Sequence, residues 1–333
     1  NEGDIVKVTI EANETSVLEN EKPTFTVKIN TVLDHDLIVT LSNDAKVTIK
    51  AGDTSAQYTH AEQGDDVYKD AGEISLGLKS AVDATGATFE NLQLGDPASV
   101  KVEDTTSEVI AKLTATSSVT EGGEITYTIT LTNKDGLPIN NHAPLYFKLA
   151  DGTNIVVAAN STTGSTTVAA PDNVYTGTNP PVVNAIASVS GADEWKFEQL
   201  TLDKTEVKTQ VTDEPGTPGN EGDIVKVTIE ANETSVLENE KPTFTVKINT
   251  VLDHDLIVTL SNDAKVTIKA GDTSAQYTHA EQGDDVYKDA GEISLGLKSA
   301  VDATGATFEN LQLGDPASVK VEDTTSEVIA KLT

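Results

Sequence analysis

The feature that most constrains this chain is an internal repeat. Residues 1–114 recur at 220–333 without a single change, and the segment between the two copies aligns with the first at several motifs. The aligned pairs are Val17–Asn20 with Val119–Gly122, Asp65–Tyr68 with Asp172–Tyr175, Phe89–Leu92 with Phe197–Leu200, and Val102–Asp104 with Val211–Asp213. Three successive segments with the same motifs in the same order are typical of a tandem array of one domain type.

The repeat predicts three domains in the order A, B, A. The predicted ranges are 1–104 (type A), 105–213 (type B), a Pro/Gly linker at 214–222, 223–323 (type A, identical copy), and 324–333. Residues 324–333 match 105–114, so we predict that they form the first strand of a truncated further domain. Because the chain contains no methionine, we expect it to be a fragment of a longer protein.

Apolar residues within each copy alternate with polar ones, as in Val6, Val8 and Ile10. This period of two, interrupted by Asp, Asn and Gly turns, is typical of half-buried strands. The strands predicted for the first copy are 4–12, 23–31, 37–42, 46–50, 55–61, 73–80 and 92–103. About seven short strands in about 100 residues predict an all-β fold of tandem immunoglobulin-like antiparallel β-sandwiches joined end to end.

The formal charge of -31 limits the possible partners. Nucleic acid and anionic membrane surfaces both require basic proteins, so neither is expected as a partner. The chain has no apolar run of membrane-spanning length, so no membrane insertion is expected, and we expect a monomer. Two interpretations of the charge remain open: solubility through mutual repulsion, or carboxylates placed to bind a hard divalent cation.

Topology predicts where the carboxylates meet. If successive strands reverse direction, the turns after the first, third and fifth strands lie at the pole where the last strand ends. In the first copy these places are rich in acids, and Ca²⁺ prefers six to eight oxygen ligands in irregular geometry. No His or Cys cluster suited to zinc or copper is evident.

We therefore predict calcium ions at the domain junctions, bound between neighbouring domains of the same chain. The candidate ligands are Glu19, Asp65, Asp66, Asp70, Glu103, Asp104 and Glu108 in the first junction, Glu121, Asp172, Asp213 and Asp223 in the second, and Glu238, Asp284, Asp285, Asp289, Glu322 and Asp323 in the third copy. The alternative for each acid is a solvated turn residue, because Asp favours turns on its own account.

Neither a catalytic motif nor a rich aromatic surface is visible. The chain lacks a nucleophile elbow, a zinc-protease helix and a phosphate-binding glycine loop, so we expect it not to be an enzyme. Aromatic residues make up only 4% of the chain, and the lone tryptophan, Trp195, is expected to pack in the core of the second domain.

Several segments resemble the tandem repeats of giant RTX biofilm adhesins that Gram-negative bacteria secrete through type I systems. They are Ser118–Asn133, Asp65–Gly72, Phe89–Leu92 and Val211–Asp213. The resemblance implies immunoglobulin-like extender domains at the bacterial cell surface, with calcium at their junctions, and supports Glu19, Asp65, Asp66, Asp70, Asp104, Glu121, Asp172 and Asp213 as ligands. The second copy departs from the pattern after Tyr175, which leaves no counterpart of Asp70 there.

These observations together predict a calcium-rigidified extender segment of a bacterial surface adhesin, which projects distal ligand-binding domains away from the cell. The alternative is an adhesion module that itself binds a glycan or a protein. Exact repetition favours the extender, because duplicating a unit adds length directly.

Overall fold

The computed structural model describes residues 4–177, 179–214, 222–289 and 291–331. Throughout these residues the secondary structure is β-strand and turn, which confirms the predicted all-β class of tandem sandwiches. No helix long and apolar enough to cross a membrane occurs among them. The chain divides into two compact units: Asn1–Ala115, Thr126–Thr167 and Val183–Val207 form one, and Thr116–Ile125, Val168–Val182 and Lys208–Thr333 form the other.

The first repeat contains ten strands in its described part. They are β1 (Ile5–Ala12), β2 (Ser16–Leu18), β3 (Thr24–Ile29), β4 (Leu37–Leu41), β5 (Lys46–Ile49), β6 (Ser55–Thr59), β7 (Glu73–Leu76), β8 (Leu78–Asp83), β9 (Asn91–Leu94) and β10 (Ala98–Glu103). They form sheets in the orders β6-β3-β1-β9, β2-β10-β7 and β5-β4-β8. Each sheet therefore combines strands that are distant in sequence, as a sandwich requires.

This strand set differs from the seven predicted strands in two ways. The predicted strands at 73–80 and 92–103 are each divided in two, because Gly77 and the Gly95-Asp96-Pro97 turn interrupt them. The prediction also missed β2. Residues 13–15 separate β2 from β1, and the chain changes sheet there: β1 pairs in parallel with β9, and β2 pairs in parallel with β10.

The other two repeats follow the same plan. The second contains β11 (Glu108–Ala115), β12 (Ser118–Thr120), β13 (Glu124–Asn133), β14 (Leu145–Leu149), β15 (Asn154–Val157), β16 (Thr163–Ala169), β17 (Val182–Asn184), β18 (Ile186–Ser190), β19 (Gln199–Leu202) and β20 (Val207–Thr212). The third contains β21 (Ile224–Ala231), β22 (Ser235–Leu237), β23 (Thr243–Ile248), β24 (Leu256–Leu260), β25 (Lys265–Ile268), β26 (Ser274–Thr278), β27 (Glu292–Leu295), β28 (Leu297–Asp302), β29 (Asn310–Leu313) and β30 (Ala317–Glu322).

The core of each type A repeat consists of the inward-facing residues of these strands. Phe25, Val27 and Leu37 are fully buried in the first repeat, and their copies Phe244, Val246 and Leu256 are fully buried in the third. Burying side chains of this size contributes about 1.5–3 kcal/mol each to folding. The period-two pattern of the sequence thus marks the faces that pack against each other.

The prediction for Trp195 was wrong. Its side chain is 67% exposed, in a turn immediately before β19. Phe197, two residues later, occupies the buried position instead and is 1% exposed. A tryptophan beside a phenylalanine of the same segment cannot be assigned to the core from composition alone.

The C-terminal segment does not form the predicted strand in its described part. Residues 324–331 contain no strand, and Val328 and Ile329 are 75% and 78% exposed. The same sequence at residues 105–114 contributes to β11, which pairs with both β13 and β19. An isolated strand has no such partners, so this segment remains unpaired; residues 332–333 lie outside the described part.

Candidate metal centres

The parallel pairing of β2 with β10 positions the acids of the first repeat. This register places Leu18 beside Glu103, and the amide of Glu19 donates a hydrogen bond to the Glu103 carbonyl at 3.0 Å. The loop between β6 and β7 closes over this end, because the Gly64 amide donates to the Glu19 carbonyl at 3.2 Å. Glu19, Asp104 and the loop acids are thereby brought to one place, although up to 85 positions separate them in the sequence (104 minus 19).

Five carboxylates form what we call the first-junction cluster: Glu19, Asp66, Asp70, Asp104 and Glu198. Carboxylate oxygens of Glu19, Asp104 and Glu198 lie within 4.8 Å of one another, and so do those of Glu19, Asp66 and Asp70. The first four residues belong to the first repeat and Glu198 to the second, so the cluster spans the junction between these repeats. Both repeats contribute through residues of the same compact unit.

Hydrogen bonds hold the first-junction cluster in place. The Thr105 hydroxyl donates to Asp65 at 2.8 Å and lies 3.1 Å from a Glu19 carboxylate oxygen. The Asp70 amide donates to Asp104 Oδ1 at 2.9 Å, and the Ser107 amide donates to Glu198. Glu19 is only 1% exposed, and its Oε2 has no hydrogen-bond donor among the described residues.

The environment disfavours the charged form of several of these carboxylates. Burial raises the pKa of Glu19. Burial and the nearby Glu19 and Asp104 raise the pKa of Glu198 to about 7. Burial also raises the pKa of Asp70, to which Asp66 and Asp104 add repulsion. With no cation, carboxylates held this close can be accommodated only by taking up protons.

The second-junction cluster consists of Glu121, Asp213 and Glu309, whose carboxylate oxygens lie within 4.8 Å of one another. The first two residues belong to the second repeat and Glu309 to the third. Glu121 is 3% exposed and accepts a hydrogen bond from Asn179 Nδ2 at 2.8 Å. Asp213 accepts one from the Gly177 amide at 2.5 Å, and Glu309 Oε2 accepts one from the Asp223 amide at 2.8 Å.

Buried carboxylate oxygens without a donor are concentrated in this second cluster. Glu121 Oε1, Asp213 Oδ1, Glu309 Oε1 and the neighbouring Glu214 Oε2 all lack a hydrogen-bond partner among the described residues. Burial raises the pKa of Glu121, Glu214, Glu309 and Asp223, and neighbouring carboxylates add to the effect. Orphaned buried acceptors are costly, so native structures rarely tolerate them.

The third repeat carries the corresponding acids without a partner repeat. Oxygens of Glu238, Asp285 and Asp289 lie within 4.8 Å of one another. The Thr324 hydroxyl donates to Glu238 at 2.7 Å and to Asp284 at 2.5 Å, and the Asp289 amide donates to Asp323 at 2.9 Å. This repeats the arrangement around Glu19, except that no residue corresponding to Glu198 approaches in the described part of the chain.

The donor set at both junctions fits a calcium ion. Two ligands on opposite sides of one Ca²⁺ are separated by about 5 Å, so oxygens within 4.8 Å of one another can share an ion. One carboxylate oxygen each of Glu19, Glu121, Asp213 and Glu309 accepts no hydrogen bond among the described residues. These oxygens would ligate the ion, whose positive charge would offset the negative charge of the cluster. At the second junction the side-chain amides of Asn173 and Asn179 both donate to Glu121 Oε2, whereas Oε1 accepts no hydrogen bond among the described residues and is available to ligate.

The predicted ligands outside these clusters make other contacts. Asp65 and Asp284 accept hydrogen bonds from Thr105 and Thr324, so they border their clusters. Asp172 lies close enough to raise the pKa of Asp223. Glu103 and Glu322 form exposed ion pairs with Lys101 and Lys320. Glu108 accepts hydrogen bonds from Thr201 and Gln199.

Sequence analysis missed Glu198 and Glu309. Both follow the phenylalanine of the Phe-Glu motif that was used to align the repeats, and the equivalent residue of the first repeat is Glu90. The motif lies at the opposite end of each repeat from most of the predicted acids, so it contributes to the junction with the preceding repeat. Its recurrence immediately before β9, β19 and β29 was the available signal.

An aromatic contact accompanies the acids at each junction. Tyr68 packs against Phe197 with ring centroids 5.2 Å apart, and Tyr175 stacks on Phe308 at 5.1 Å. The Tyr68 hydroxyl accepts a hydrogen bond from the Asn141 amide at 3.0 Å, whereas the Tyr175 hydroxyl donates to Asp302 at 2.9 Å.

The backbone contacts around the two tyrosines are the same. The amide after each tyrosine donates to the carbonyl before the facing phenylalanine, Lys69 to Lys196 at 2.7 Å and Thr176 to Thr307 at 2.8 Å. In the return direction, the Glu198 amide donates to the Val67 carbonyl at 2.9 Å and the Glu309 amide donates to the Val174 carbonyl at 3.0 Å. The backbone thus couples the aromatic contact directly to the junction glutamate.

Comparison with known proteins places all three repeats in one family. The LapA domain family matches residues 4–105, 108–214 and 223–324, which is most of the chain. LapA is a large adhesin. The comparison with curated proteins found no match.

Solved structures resemble the chain only at a low level. A native E. coli alpha-2-macroglobulin is 12% identical with a TM-score of 0.24, over 96% of this chain and 23% of that one. The full extracellular region of plexin A4 is 9% identical with a TM-score of 0.22, over 90% and 39%. A β-glycosidase from Bacteroides vulgatus is 11% identical with a TM-score of 0.19, over 62% and 25%. The chain spans less than half of each of these structures, and the scores are too low to carry an argument.

Proposed function

The chain belongs to the LapA domain family. Because LapA is a large adhesin, we propose that the three repeats are a calcium-rigidified extender of a surface adhesin. On this proposal, Ca²⁺ ions bound at the junctions convert a flexible string of sandwiches into a stiff spacer. The spacer holds distal ligand-binding domains away from the surface of a bacterial cell that secretes the adhesin through a type I system.

The observation that carries the proposal is the composition of the second-junction cluster. Three carboxylates from two successive repeats converge within 4.8 Å, and each has a buried oxygen without a donor. Such a cluster is unfavourable unless a cation neutralises it, because like charges repel strongly where water is excluded. A cation that satisfies it binds both repeats at once and so opposes their separation.

The ligands supplied by this chain favour calcium over other cations. All are oxygens, which suit hard cations and not zinc or copper. The sites combine side chains from separate loops and two repeats, which gives an irregular arrangement of ligands. Ca²⁺ tolerates irregular coordination, whereas Mg²⁺ requires a nearly octahedral one. Extracellular calcium sites bind with dissociation constants of about 0.1–1 mM.

Equilibrium dialysis against calcium tests this proposal. We expect saturable binding at millimolar calcium, and we expect the double variant Glu121→Gln with Glu309→Gln to lose the second-junction ion. Asp44→Asn is the matched control, because Asp44 is an exposed turn acid paired with Lys79 and outside the clusters. If the double variant and the control bind as much calcium as the unmodified chain, these acids are not ligands.

One observation favours the alternative of a ligand-binding module. Trp195 is exposed on the second repeat, and an exposed indole is a good surface for stacking against a sugar ring. Binding to a glycan array that is lost in Trp195→Ala would support this function. Absence of binding by the unmodified chain would leave the extender as the sole proposal.

A further inference from the structure

The core of the second repeat contains polar groups at places where the type A repeats bury apolar ones. Tyr127 in β13 occupies the position of Phe25 in β3, because each lies opposite the alanine that ends the first strand of its repeat. Tyr127 is 1% exposed, and Phe25 and its copy Phe244 are fully buried. The same place in the sandwich therefore holds a phenol in the second repeat and a phenyl ring in the other two.

A second replacement of this kind lies at the end of β17. Asn184 occupies the position of Leu76, because the carbonyl of the next residue accepts a hydrogen bond from the residue that follows β14 in one repeat and β4 in the other. Asn184 and Leu76 are each buried to the same degree, with 2% of the surface exposed. A side-chain amide thus stands where the type A repeats bury a branched aliphatic side chain.

Both replacements leave a buried polar atom without a partner. The Tyr127 hydroxyl and Asn184 Nδ2 make no hydrogen bond within the described residues, and only the Asn184 carbonyl oxygen is engaged, by the Ala185 amide at 3.0 Å. A buried donor without an acceptor lowers stability, whereas an apolar group of the same shape does not. Phe25 and Leu76 show that such groups fit, and they lie in the same compact unit as Tyr127 and Asn184.

Other buried polar residues of the second repeat have partners. The two ring nitrogens of His142 lie 2.7 and 3.0 Å from the carbonyl oxygens of Ala143 and Ser161. The Thr209 hydroxyl donates to the Thr116 carbonyl at 2.6 Å. The difference in stability between the repeat types is therefore expected to arise mainly at the two positions described above.

We propose that the second repeat opens more readily than the type A repeats and serves as a reserve of length in the array. Opening returns the unpartnered groups to water, so it requires less free energy than opening a sandwich with an apolar core. Residues 108–214, which form this repeat, reach up to roughly 380 Å when fully extended. The role as a length reserve rests on the proposed function, whereas the order of opening follows from the cores alone.

Native-state hydrogen exchange of the whole chain, measured by mass spectrometry in chelator, tests the proposal. Peptides of the second repeat differ in sequence from those of the type A repeats, so the two repeat types are distinguished in one experiment. Chelator removes any contribution of calcium at the junctions. We expect the slowest amides of β13 to exchange about tenfold faster than those of β3 and β23.

Substitutions between the two core types identify the cause. Tyr127→Phe should slow the exchange of β13 about tenfold, and Asn184→Leu should act in the same direction, because each installs the side chain of the type A core. Tyr146→Phe is the matched control, since it removes the hydroxyl of a half-exposed tyrosine in the same repeat and should leave exchange unchanged.

The reverse substitution uses the third repeat as its reference. Phe25→Tyr places the hydroxyl in the first repeat only and changes the mass of its peptide, so β3 can then be read separately from the identical β23. Exchange of β3 should become faster while that of β23 stays as it was.

Two results would overturn the proposal. One is a second repeat whose slowest amides exchange no faster than those of the type A repeats. The other is exchange of β13 that neither Tyr127→Phe nor Asn184→Leu slows. Both results would leave the proposed function standing, because neither concerns calcium. Equilibrium dialysis that detects no bound calcium would instead sink the proposed function and leave the order of opening unaffected.

Discussion

At the scale of single residues, the account depends on glutamates that the fold buries without compensating positive charge. Glu19, Glu121 and Glu238 stand at equivalent positions after the short second strand of each repeat, and all are 3% exposed or less. A buried carboxylate without an ion partner is strongly unfavourable in its charged form. Removal of a bound cation should therefore destabilise the charged form of these glutamates more than that of the exposed acids.

The identical repeats offer a matched pair for this claim. Glu19 faces Glu198 of the next repeat, whereas its copy Glu238 lacks such a partner in the described residues. We expect Glu19→Gln to weaken calcium binding at the first junction by about tenfold, or about 1.4 kcal/mol, and Glu238→Gln to have a smaller effect. Calorimetric titration of both variants checks this, and equal effects would contradict a site shared between repeats.

The acidity of Glu198 predicts how stability depends on pH. Its pKa is raised to about 7 in the folded chain from an ordinary value of 4.5, so the folded state binds more protons than the unfolded state between these values. Without metal, the stabilisation is fully present below about pH 4.5 and is lost as pH rises through about 7. Calcium displaces those protons, so its affinity should rise over the same interval.

Melting curves in chelator between about pH 5 and pH 8 check this sign. The melting temperature of the unmodified chain should fall as pH rises, and Glu198→Gln should flatten the curve because the amide does not titrate. A melting temperature that instead rises steadily over this interval would show that Glu198 is not held in an environment that disfavours its charge.

At the scale of elements, the aromatic contact at each junction is formed by one loop and one turn. The loop between β6 and β7 carries Tyr68, and the turn before β19 carries Phe197. The loop is fixed locally, because Asp66 accepts a hydrogen bond from the Tyr68 amide at 2.6 Å. Its aromatic side chain therefore acts as a rigid contact between two sandwiches.

Truncation of this tyrosine should be costly only where the side chain is covered. Tyr68→Ala is expected to destabilise the chain by about 3–5 kcal/mol, as other buried aromatic truncations do. Tyr287→Ala, the same change in the same local sequence, should alter stability by no more than about 0.5 kcal/mol at low protein concentration. Denaturant unfolding monitors both variants, and similar losses would mean that Tyr68 does not stabilise the junction.

The sequence predicted the strands and the acid-rich ends but not their partners. Alternation of apolar residues is local, so Phe25 and Val27 could be placed in the core without knowledge of the fold. The role of Glu198 depends on how the second repeat meets the first, which no local pattern encodes. The parallel pairing of β2 with β10 likewise depends on a change of sheet after β1, and three linking residues give no sign of it.

At the scale of the whole molecule, the charge of -31 has two separable effects. Diffuse repulsion responds to any salt, because screening depends on ionic strength. Site binding responds to calcium specifically. The two effects can be distinguished by comparing salts at the same ionic strength.

We expect calcium to raise the melting temperature more than magnesium or sodium chloride does at the same ionic strength. A calcium concentration ten times the dissociation constant stabilises each site by about 1.4 kcal/mol. Magnesium should give a smaller increase, because it resists dehydration and irregular coordination. Sodium chloride at equal ionic strength reports screening alone, and an increase equal to that of calcium would assign the effect to screening.

The claim that calcium stiffens the junctions is tested most directly by small-angle scattering from the whole chain in calcium and in chelator. The account predicts that calcium lengthens the maximum dimension and narrows the distribution of distances, and that Glu121→Gln with Glu309→Gln reduces this change while Asp44→Asn does not. Scattering curves that coincide with and without calcium, at concentrations where calcium binding is saturated, would contradict the account and show that the bound ions do not restrain the repeats.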